Sequence, residues 1–372
     1  MLRTDDLDYD LPPDLIAVEP VTPRDAARLL VVSRGDPSRI EHRTVRDLPE
    51  LLEADDLLVL NRSRVVPARF LGHREDTGGK VEGLYLRDGG EPGTWEIMLK
   101  ARRFKPGAPI RLHTPAGEDS PVVLRLIERA GPDEPGAWIA SVEHRTDHGG
   151  DVAEALDAVG LTPLPPYILA ARRSREQDEL LPADPDRYQT VYAKEAGSVA
   201  APTAGLHFTP ELLDRLEAAG VSRAEVLLHV GSGTFKPVET STVEAHPMHA
   251  ERCSLGPGVR ERIEAAGRVI AVGTTSVRTL ESFAPLPPQR DGDWIDTSLL
   301  ITPGHPWRWA DGLLTNFHLP RSTLLALVAA LLDDPADSNP QAAAARLLDL
   351  YREAIDRRYR FYSFGDAMLV LP

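Results

Sequence analysis

The sequence predicts an α/β protein whose chain is interrupted by an all-β domain. Helical periods alternate with buried strands in the first sixty residues and again after Asp151, which is typical of a parallel sheet covered by helices. Between them, over residues 65–142, short β-rich runs follow one another at turn signals, as in a small antiparallel barrel or sandwich. We therefore predict a discontinuous α/β domain of residues 1–64 and 151–372, and an inserted domain of residues 65–150.

An α/β unit opens the chain. Residues 28–32 and 57–60 are apolar runs with the length of buried strands, and a helix is expected near residues 48–54. The insert then supplies six β-rich runs separated by glycine-containing turns. These runs are residues 65–71, 80–86, 94–100, 109–113, 122–127 and 138–142.

The second half repeats a unit of helix and strand. Thr209 precedes Pro210 and an apolar-periodic segment that stops at Gly220, which predicts a helix with an N-cap, a proline at its first position and a glycine past its end. Further elements follow in a largely parallel order. They are a strand at 224–230, a helix at 259–266, a strand at 268–272, a helix after Gly273, a strand at 298–301, a helix after Pro320 and a helix from 340 to about 357.

The composition indicates an intracellular protein. A single cysteine, Cys253, excludes an internal disulfide and suits a reducing compartment. The acidic start of the chain lacks the basic and apolar segments of a secretory signal. The longest apolar run, residues 324–332, is far below the roughly 20 residues that cross a bilayer. We therefore expect a cytoplasmic protein with no membrane partner, and we favour a monomer.

The charge limits how the chain can bind nucleic acid. A formal net charge of −15 disfavours binding over the whole surface, because such affinity comes from phosphate neutralisation by Lys and Arg. Only five of the 42 basic residues are lysines, which leaves 37 arginines, the residue suited to bidentate phosphate contacts and base stacking. A GC-rich genome explains the same bias equally well. Any RNA contact is expected to be local.

Histidines concentrate in loops of the second half. Six of the eleven lie between residues 205 and 320, beside Gly, Thr and Pro, and the loops at strand ends are where α/β proteins bind ligands. For any one of them, a hydrogen-bonded loop histidine is the alternative. The six are His207, His229, His246, His249, His305 and His318.

A strand, a tight turn and a helix start are predicted over residues 269–278. Free backbone N–H groups and hydroxyls at such a turn suit a carboxylate or a phosphate, although Thr and Ser also cap ordinary helices. The run lacks the lysine of a phosphate-binding P-loop, and no G-x-G-x-x-G follows a strand. A phosphosugar or nucleotide hydrolase that uses the Gly273 turn therefore stays open, as does a noncatalytic RNA-binding module built on the insert.

Other segments carry weaker signals. Residues 246–253 contain two histidines and Cys253, but Pro247 disfavours one helical face and no second cysteine completes a structural zinc set, so no metal is predicted. No G-x-S-x-G nucleophile elbow is present, which argues against a serine hydrolase. Residues 186–192 and 359–366 combine aromatic side chains with arginine and can stack a base, or pack in the core.

Nine stretches of the sequence form a pattern when they are taken together. They are YDLP at 9–12, LLVLNRSRVVPAR at 57–69, 187–193, 197–209, HVGSGTF at 229–235, PMHAE at 247–251, VGTTSVRTLES at 272–282, DGLLTNFHLPRSTL at 311–324 and 359–368. In this order, over nearly the whole chain, they resemble the S-adenosylmethionine:tRNA ribosyltransferase-isomerase family of queuosine biosynthesis. The insert is matched poorly, and Ser232 departs from the family pattern, which usually has an apolar residue there.

The resemblance implies a fold and a reaction. The fold is a larger, barrel-like α/β domain interrupted by a small β-barrel. The enzyme transfers and isomerises the ribosyl group of S-adenosylmethionine onto 7-aminomethyl-7-deazaguanine at the tRNA wobble position. Adenine and methionine leave, and epoxyqueuosine remains. S-adenosylmethionine is thus a co-substrate and tRNA the partner, with no prosthetic group expected.

The implied chemistry selects candidate residues. A base must remove a proton beside the sulfonium, an acid assists the departure of adenine, and the sulfonium needs anionic or aromatic neighbours. The acid–base candidates are His207, His249, His229 and His318, with His207 and His249 first. The substrate-binding candidates are Tyr188, Glu195, Thr203, Gly231, Gly233, Thr234, Glu251, Gly273, Thr274, Thr275, Ser276, Arg278, Asn316, Tyr362 and Asp366. The candidates for tRNA binding are Arg62, Arg64, Arg69, Arg102, Arg103, Arg172, Arg173 and Arg175.

Overall fold

Two β structures, a sheet and a closed barrel, form the framework of the protein in a computed structural model. Helices cover both faces of the sheet. The structure describes residues 1–36, 38–100, 104–131, 136–144, 152–231, 238–288, 290, 292–334 and 339–372.

The strands are short, and most belong to the sheet or the barrel. In chain order they are β1 Arg28–Ser33, β2 Ile40–Thr44, β3 Asp56–Asn61, β4 Ser63–Val65, β5 Arg69–Arg74, β6 Lys80–Asp88, β7 Thr94–Leu99, β8 Pro109–His113, β9 Asp119–Arg129, β10 Ala137–His144, β11 Glu195–Ser198, β12 Ser222–Leu228, β13 Glu251–Leu255, β14 Arg268–Val272, β15 Trp294–Thr297, β16 Gly312–Asn316 and β17 Ala367–Leu371.

All of the described α-helices except the first follow the barrel strands in the chain. The α-helices are α1 Leu48–Leu51, α2 Val152–Val159, α3 Pro166–Ser174, α4 Asp184–Arg187, α5 Pro210–Ala218, α6 Val259–Ala265, α7 Thr274–Phe283, α8 Thr323–Leu331 and α9 Pro340–Asp356. Short 3-10 helices are Thr4–Leu7, Pro13–Leu15, Arg24–Ala26, Val45–Asp47, Thr203–His207 and Val243–Ala245. Among the described residues, we find no helix with the length and apolar character that crossing a bilayer requires.

The sheet has nine strands in the order β15-β13-β12-β3-β14-β16-β17-β1-β2. Its four central strands, β12, β3, β14 and β16, run parallel, so their carboxyl ends meet at one edge, where ligands bind in α/β proteins. Antiparallel pairs flank this centre on both sides. The sheet is therefore mixed rather than largely parallel as the sequence suggested.

The barrel closes in the order β10-β7-β6-β5-β8-β9 with antiparallel neighbours throughout. Large side chains such as Phe70, Trp95 and Trp138 fill it, and Leu156 and Val159 of α2 pack against the same cluster. The predicted α/β fold with an inserted antiparallel barrel is thus confirmed. The barrel strands lie within the predicted insert of residues 65–150, whose boundaries stay a prediction.

Local signals predicted several elements well. Thr209 Oγ1 accepts a hydrogen bond from the Leu212 N–H at 3.1 Å, Pro210 is the first residue of α5, and Gly220 has a φ of +88°, so the capped helix is confirmed. The predicted strand at 298–301 is wrong, because the strand is Trp294–Thr297.

The strands Gly312–Asn316 and Ala367–Leu371 were missed. They pair with each other inside the sheet. Gly312–Asn316 is buried at every position, as is Ala367–Leu371 apart from its last residue. A strand that is covered on both faces lacks the alternation of apolar and polar residues that marks a half-buried one.

Candidate active site

A cleft of about 920 Å³ lies between the barrel and the α/β domain. Barrel residues, including Tyr85, Arg87 and Trp95, form one wall, and Arg64 of β4 lines the cleft as well. The other wall includes loops that follow the sheet strands. They lie together because the carboxyl ends of the parallel strands meet at this edge. The residues that line this second wall are Ala196, Gly197, Val199, His229, Val230, Gly231, His246, Met248, His249, Ala250, Glu251, Arg252, Arg278, Leu299, Leu300, Ile301, Thr323, Leu324 and Leu327.

A smaller recess of about 40 Å³ adjoins the cleft, and Val230 and Leu324 line both. It lies at the ends of β14 and β16, where Gly273 and Asn316 leave the sheet. Its wall combines apolar surface with hydroxyl, amide and imidazole groups. The polar side chains that line the recess belong to Tyr167, Thr203, Thr274, Thr275, Thr315, Asn316, His318, Tyr362 and Ser363.

His229 is held in place on three sides. Its ring stacks on Trp294 with centroids 5.1 Å apart. Its Nδ1 lies 3.0 Å from Ser63 Oγ. A Cβ atom added to Gly197 would lie 2.5 Å from the ring Cε1, so a glycine is required beside the ring. Burial, and then the charge of Arg252, lower the pKa of His229 below its ordinary value. The ring is therefore neutral at pH 7 and fixed in orientation.

Two serines connect His229 to the backbone. Ser198 Oγ accepts a hydrogen bond from the Val230 N–H at 2.9 Å and lies 2.5 Å from Ser63 Oγ. When Ser63 accepts from Nδ1–H, the proton of the neutral ring is on Nδ1 and Nε2 is free to accept another. That tautomer is the one a general base needs.

A buried ion pair lies beside His229 in the cleft. Arg278 Nη1 donates to Glu251 Oε2, and Glu251 Oε1 accepts from the Gly231 N–H at 3.0 Å. Arg278 Nε also donates to the Leu299 carbonyl at 3.2 Å. Within the described part of the chain, Arg278 Nη2 is buried and has no hydrogen-bond partner. The pair thus presents a spare cationic donor in the cleft.

Two of the candidate histidines are buried behind or within the recess. Asn316 Nδ2 lies 3.2 Å from His207 Nε2, and burial lowers the pKa of His207 to about 4. His318 Nε2 lies 2.8 Å from Thr315 Oγ1, and burial lowers the pKa of His318 to about 3. Both rings are neutral at pH 7. We therefore no longer favour His207 as the base, because its Nε2 already contacts Asn316 and it does not line the cleft or the recess.

The structure brings most predicted site residues together. His229, His249, Gly231, Glu251 and Arg278 line the cleft. A second group of candidates lines the recess. They are Thr203, Gly273, Thr274, Thr275, Asn316, His318 and Tyr362. Gly233 and Thr234, like Ser232, lie outside the described residues.

Four predicted substrate-binding residues lie elsewhere. Tyr188 packs edge-on against Phe364 in a buried cluster. Ser276 Oγ, in the first turn of α7, donates to the carbonyl of Val272 at the end of β14 at 2.8 Å. Glu195 is exposed and pairs with Arg62, and Asp366 is buried against Arg28. Because none of the four lines the cleft or the recess, we remove them from the proposed site.

The arginines predicted to bind tRNA differ in their exposure to solvent. Arg64, Arg173 and Arg175 are exposed, whereas Arg69 is 9% exposed and pairs with Glu82. The side chain of Arg172 is 0% exposed, because both of its terminal nitrogens bond to a buried carboxylate, so we remove it from the proposed RNA surface. Arg62 is partly buried between Glu195 and Glu225. Arg102 and Arg103 lie outside the described residues.

The sequence did not indicate Ser63, Ser198 or Trp294, which position His229. Ser63 and Ser198 fall inside family-like stretches, which was the available signal. Among the described residues, one group has the ligand atoms of a metal site, formed by His73, His113 and Asp119. All three are on the barrel and none lines the cleft, so a metal bound there would not touch a ligand in the cleft.

Comparison with known proteins identifies a family. Residues 4–370 match the family described as queuosine biosynthesis protein. A protein of Desulfitobacterium hafniense named S-adenosylmethionine:tRNA ribosyltransferase-isomerase is 45% identical, with 100% of both chains covered. A protein of the same name from Thermus thermophilus is 47% identical, with 98% of each covered.

A solved structure gives the same result for the fold. The crystal structure of an S-adenosylmethionine tRNA ribosyltransferase from Thermotoga maritima is 34% identical, with a TM-score of 0.50, and the match covers 98% of this chain and 100% of that one. The match of the family model to nearly every residue, with relatives aligned along their full length, shows that the chain belongs to the queuosine biosynthesis protein family.

Proposed function

We propose that this enzyme transfers and isomerises the ribosyl group of S-adenosylmethionine onto 7-aminomethyl-7-deazaguanine at the tRNA wobble position. The product is epoxyqueuosine-tRNA, and adenine and methionine are released. The main support is that full-length relatives at 45% to 47% identity are named S-adenosylmethionine:tRNA ribosyltransferase-isomerase. S-adenosylmethionine serves as co-substrate, and we propose no prosthetic group, a cytoplasmic location and a monomer.

The cleft supplies groups that suit this reaction. The positive charge of the sulfonium acidifies the C–H group beside it. Water is nevertheless too weak a base to remove that proton at neutral pH, so a positioned base is needed. His229 is neutral and held by Ser63 and Trp294, which makes it the first choice, and His249 lines the same cleft. Arg278 Nη2 suits the methionine carboxylate, because a guanidinium bonds carboxylates strongly.

The alternatives gain no comparable support. A hydrolase built on the Gly273 turn would place a phosphate at the start of α7, but the recess there is only about 40 Å³ and no Lys or Arg of the described ranges lines it. A noncatalytic RNA module would need only the barrel. It leaves unexplained why a spare buried guanidinium and a positioned imidazole meet in the cleft of the α/β domain.

The test is coupled product release. Purified enzyme with S-adenosylmethionine and tRNA that carries the aminomethyl base should release adenine and methionine in equal amounts, measured by chromatography. Omission of either substrate, or tRNA with an unmodified guanine, should abolish release. Methyl transfer to the tRNA with S-adenosylhomocysteine as product would contradict the proposal.

We propose that the tRNA contacts an exposed basic surface that includes Arg64, which lines the cleft, together with Arg173 and Arg175. Changing each to Gln should weaken binding and flatten the logarithmic salt dependence by roughly one unit per lost phosphate contact. Arg352→Gln on α9 is the matched control, since Arg352 is equally exposed there. Titration of fluorescent tRNA at several salt concentrations measures the slope. An unchanged slope in the triple variant would place the RNA surface elsewhere.

A further inference from the structure

Two asparagines end the strands on either side of β14 at the ligand-binding edge, and their amides are used differently. Asn61 ends β3 and is completely bonded to protein. Its Oδ1 accepts from the N–H groups of Ser63 and Leu228, at 3.1 and 3.2 Å, and its Nδ2 donates to the Leu228 carbonyl at 3.0 Å. Asn61 is therefore a structural residue that ties β3 to β12.

Asn316 ends β16 and is bonded on one side only. Its Nδ2 donates to the carbonyls of Tyr362 and Ser363, at 3.1 and 3.4 Å. Because carbonyls only accept hydrogen bonds, these partners fix which end of the amide is nitrogen. The oxygen is then left buried without a partner among the described residues, in a side chain that lines the recess.

Such orphaned atoms are rare in folded proteins, since a buried unpaired acceptor costs about 1–3 kcal/mol. Six side-chain atoms of the described residues have this status, and they belong to Arg69, Tyr188, Thr190, Tyr192, Arg278 and Asn316. Only Arg278 and Asn316 line the cleft or the recess. Arg278 offers a cationic donor and Asn316 a neutral acceptor. This pair suits a ligand with an anionic group at one end and a neutral hydrogen-bond donor at the other.

The charges of the lining residues indicate which end of the ligand lies in the recess and which lies in the cleft. Among the described residues, no Asp, Glu, Lys or Arg lines the recess, and its His318 is neutral because burial lowers the pKa to about 3. An ammonium group placed there would be unpaired, and burying an unpaired charge is costly. The cleft, in contrast, contains the Arg278–Glu251 pair, whose opposite charges complement an amino acid.

We propose that Asn316 Oδ1 accepts a hydrogen bond from the exocyclic amino group of adenine in the recess, while Arg278 Nη2 binds the methionine carboxylate of the same S-adenosylmethionine. This assignment rests on the function proposed above. The recess of about 40 Å³ has room for the edge of a ring and not for a nucleoside, so the ribosyl group stays in the cleft. Asn316 thereby selects adenine over a purine that has an oxygen at the same position.

The experiment compares ligands that differ at one group. Dissociation constants are measured by calorimetry for S-adenosylmethionine, for its 6-oxo analogue S-inosylmethionine, and for the decarboxylated compound. The full-length enzyme is used with tRNA that lacks the aminomethyl group, so that no reaction consumes the ligand. We expect the wild type to bind the 6-oxo analogue roughly 10- to 100-fold more weakly, because its oxygen would face Asn316 Oδ1.

Variants link each loss to one residue. In Asn316→Leu the two purine forms should bind within about threefold of each other, whereas Asn61→Leu should keep the wild-type ratio even if it lowers stability. The carboxylate should contribute roughly 10- to 100-fold in the wild type and much less in Arg278→Lys. The ratios do not depend on how much protein is folded.

The outcomes separate the two proposals. Equal binding of both purine forms by the wild type would overturn the role of Asn316 without affecting the proposed reaction, and it needs no variant that folds. An Asn316→Leu variant that keeps the full discrimination would overturn it as well. Failure of the wild type to bind S-adenosylmethionine at all would contradict the function itself.

Discussion

Replacement of His229 by Ala will lower turnover by about 100- to 10,000-fold while the binding of S-adenosylmethionine and tRNA stays largely intact. A general base contributes to the transition state and little to ground-state affinity, so the loss should fall on kcat. Ser63 and Trp294 hold the ring in one orientation. A water molecule in the space left by the imidazole would lack this fixed orientation and would be a weaker base. Single-turnover release of adenine measures the loss.

Isotope and pH data distinguish a base from a residue that only shapes the cleft. With S-adenosylmethionine deuterated at the ribosyl carbon beside the sulfonium, adenine release by the wild type should slow if proton removal limits the rate. The base acts in its neutral form. Because burial lowers the pKa of His229 from its ordinary value of 6.5, the rate should fall as the pH drops, with its midpoint below pH 6.5.

His42→Ala is the control, because this histidine on the edge strand β2 bonds Tyr359 and does not line the cleft. It should keep wild-type turnover. Ser63→Ala should cause a smaller loss than His229→Ala and shift the pH profile, since Ser63 acts on the ring and not on the substrate. Full turnover by His229→Ala would move the proposed base to His249.

Asp184→Ala will destabilise the protein by about 3–5 kcal/mol, because it leaves the buried Arg172 guanidinium without its counterion. Arg172 bonds both carboxylate oxygens, at 2.7 and 2.8 Å, and also donates to the Val18 and Glu179 carbonyls. The pair ties α3 to α4 and to the N-terminal segment. Urea unfolding followed by circular dichroism measures the change.

The double variant Arg172→Met with Asp184→Leu tests the physical reason. Removal of both charges should recover most of the lost stability, since the larger cost comes from a single unpaired ion. Arg352→Ala serves as a surface control and should change stability by less than about 0.5 kcal/mol. Equal losses in the single and double variants would show that packing, and not charge, accounts for the effect. A reduced salt slope of tRNA binding in folded Arg172→Met would return this residue to the RNA surface.

The sequence by itself determined the features that depend on neighbours in the chain. The cap at Thr209 and the stop at Gly220 defined α5 because capping acts within one helical turn. Apolar runs located β3 and β14, and β-rich runs between turn signals located the barrel strands. Ordered motifs over residues 9–368 also indicated the family, because many weak matches in one order are jointly specific.

Only the tertiary structure decided which candidates share a site. Arg172 looked like its neighbour Arg173, but its pairing with Asp184 through the fold of α3 onto α4 made it a core residue. His207 and His229 carried the same signal, yet one is buried behind Asn316 and the other faces the cleft. The bonds that decide this join residues 109 and 166 positions apart. Burial and hydrogen-bond satisfaction depend on such distant contacts, which no local pattern encodes.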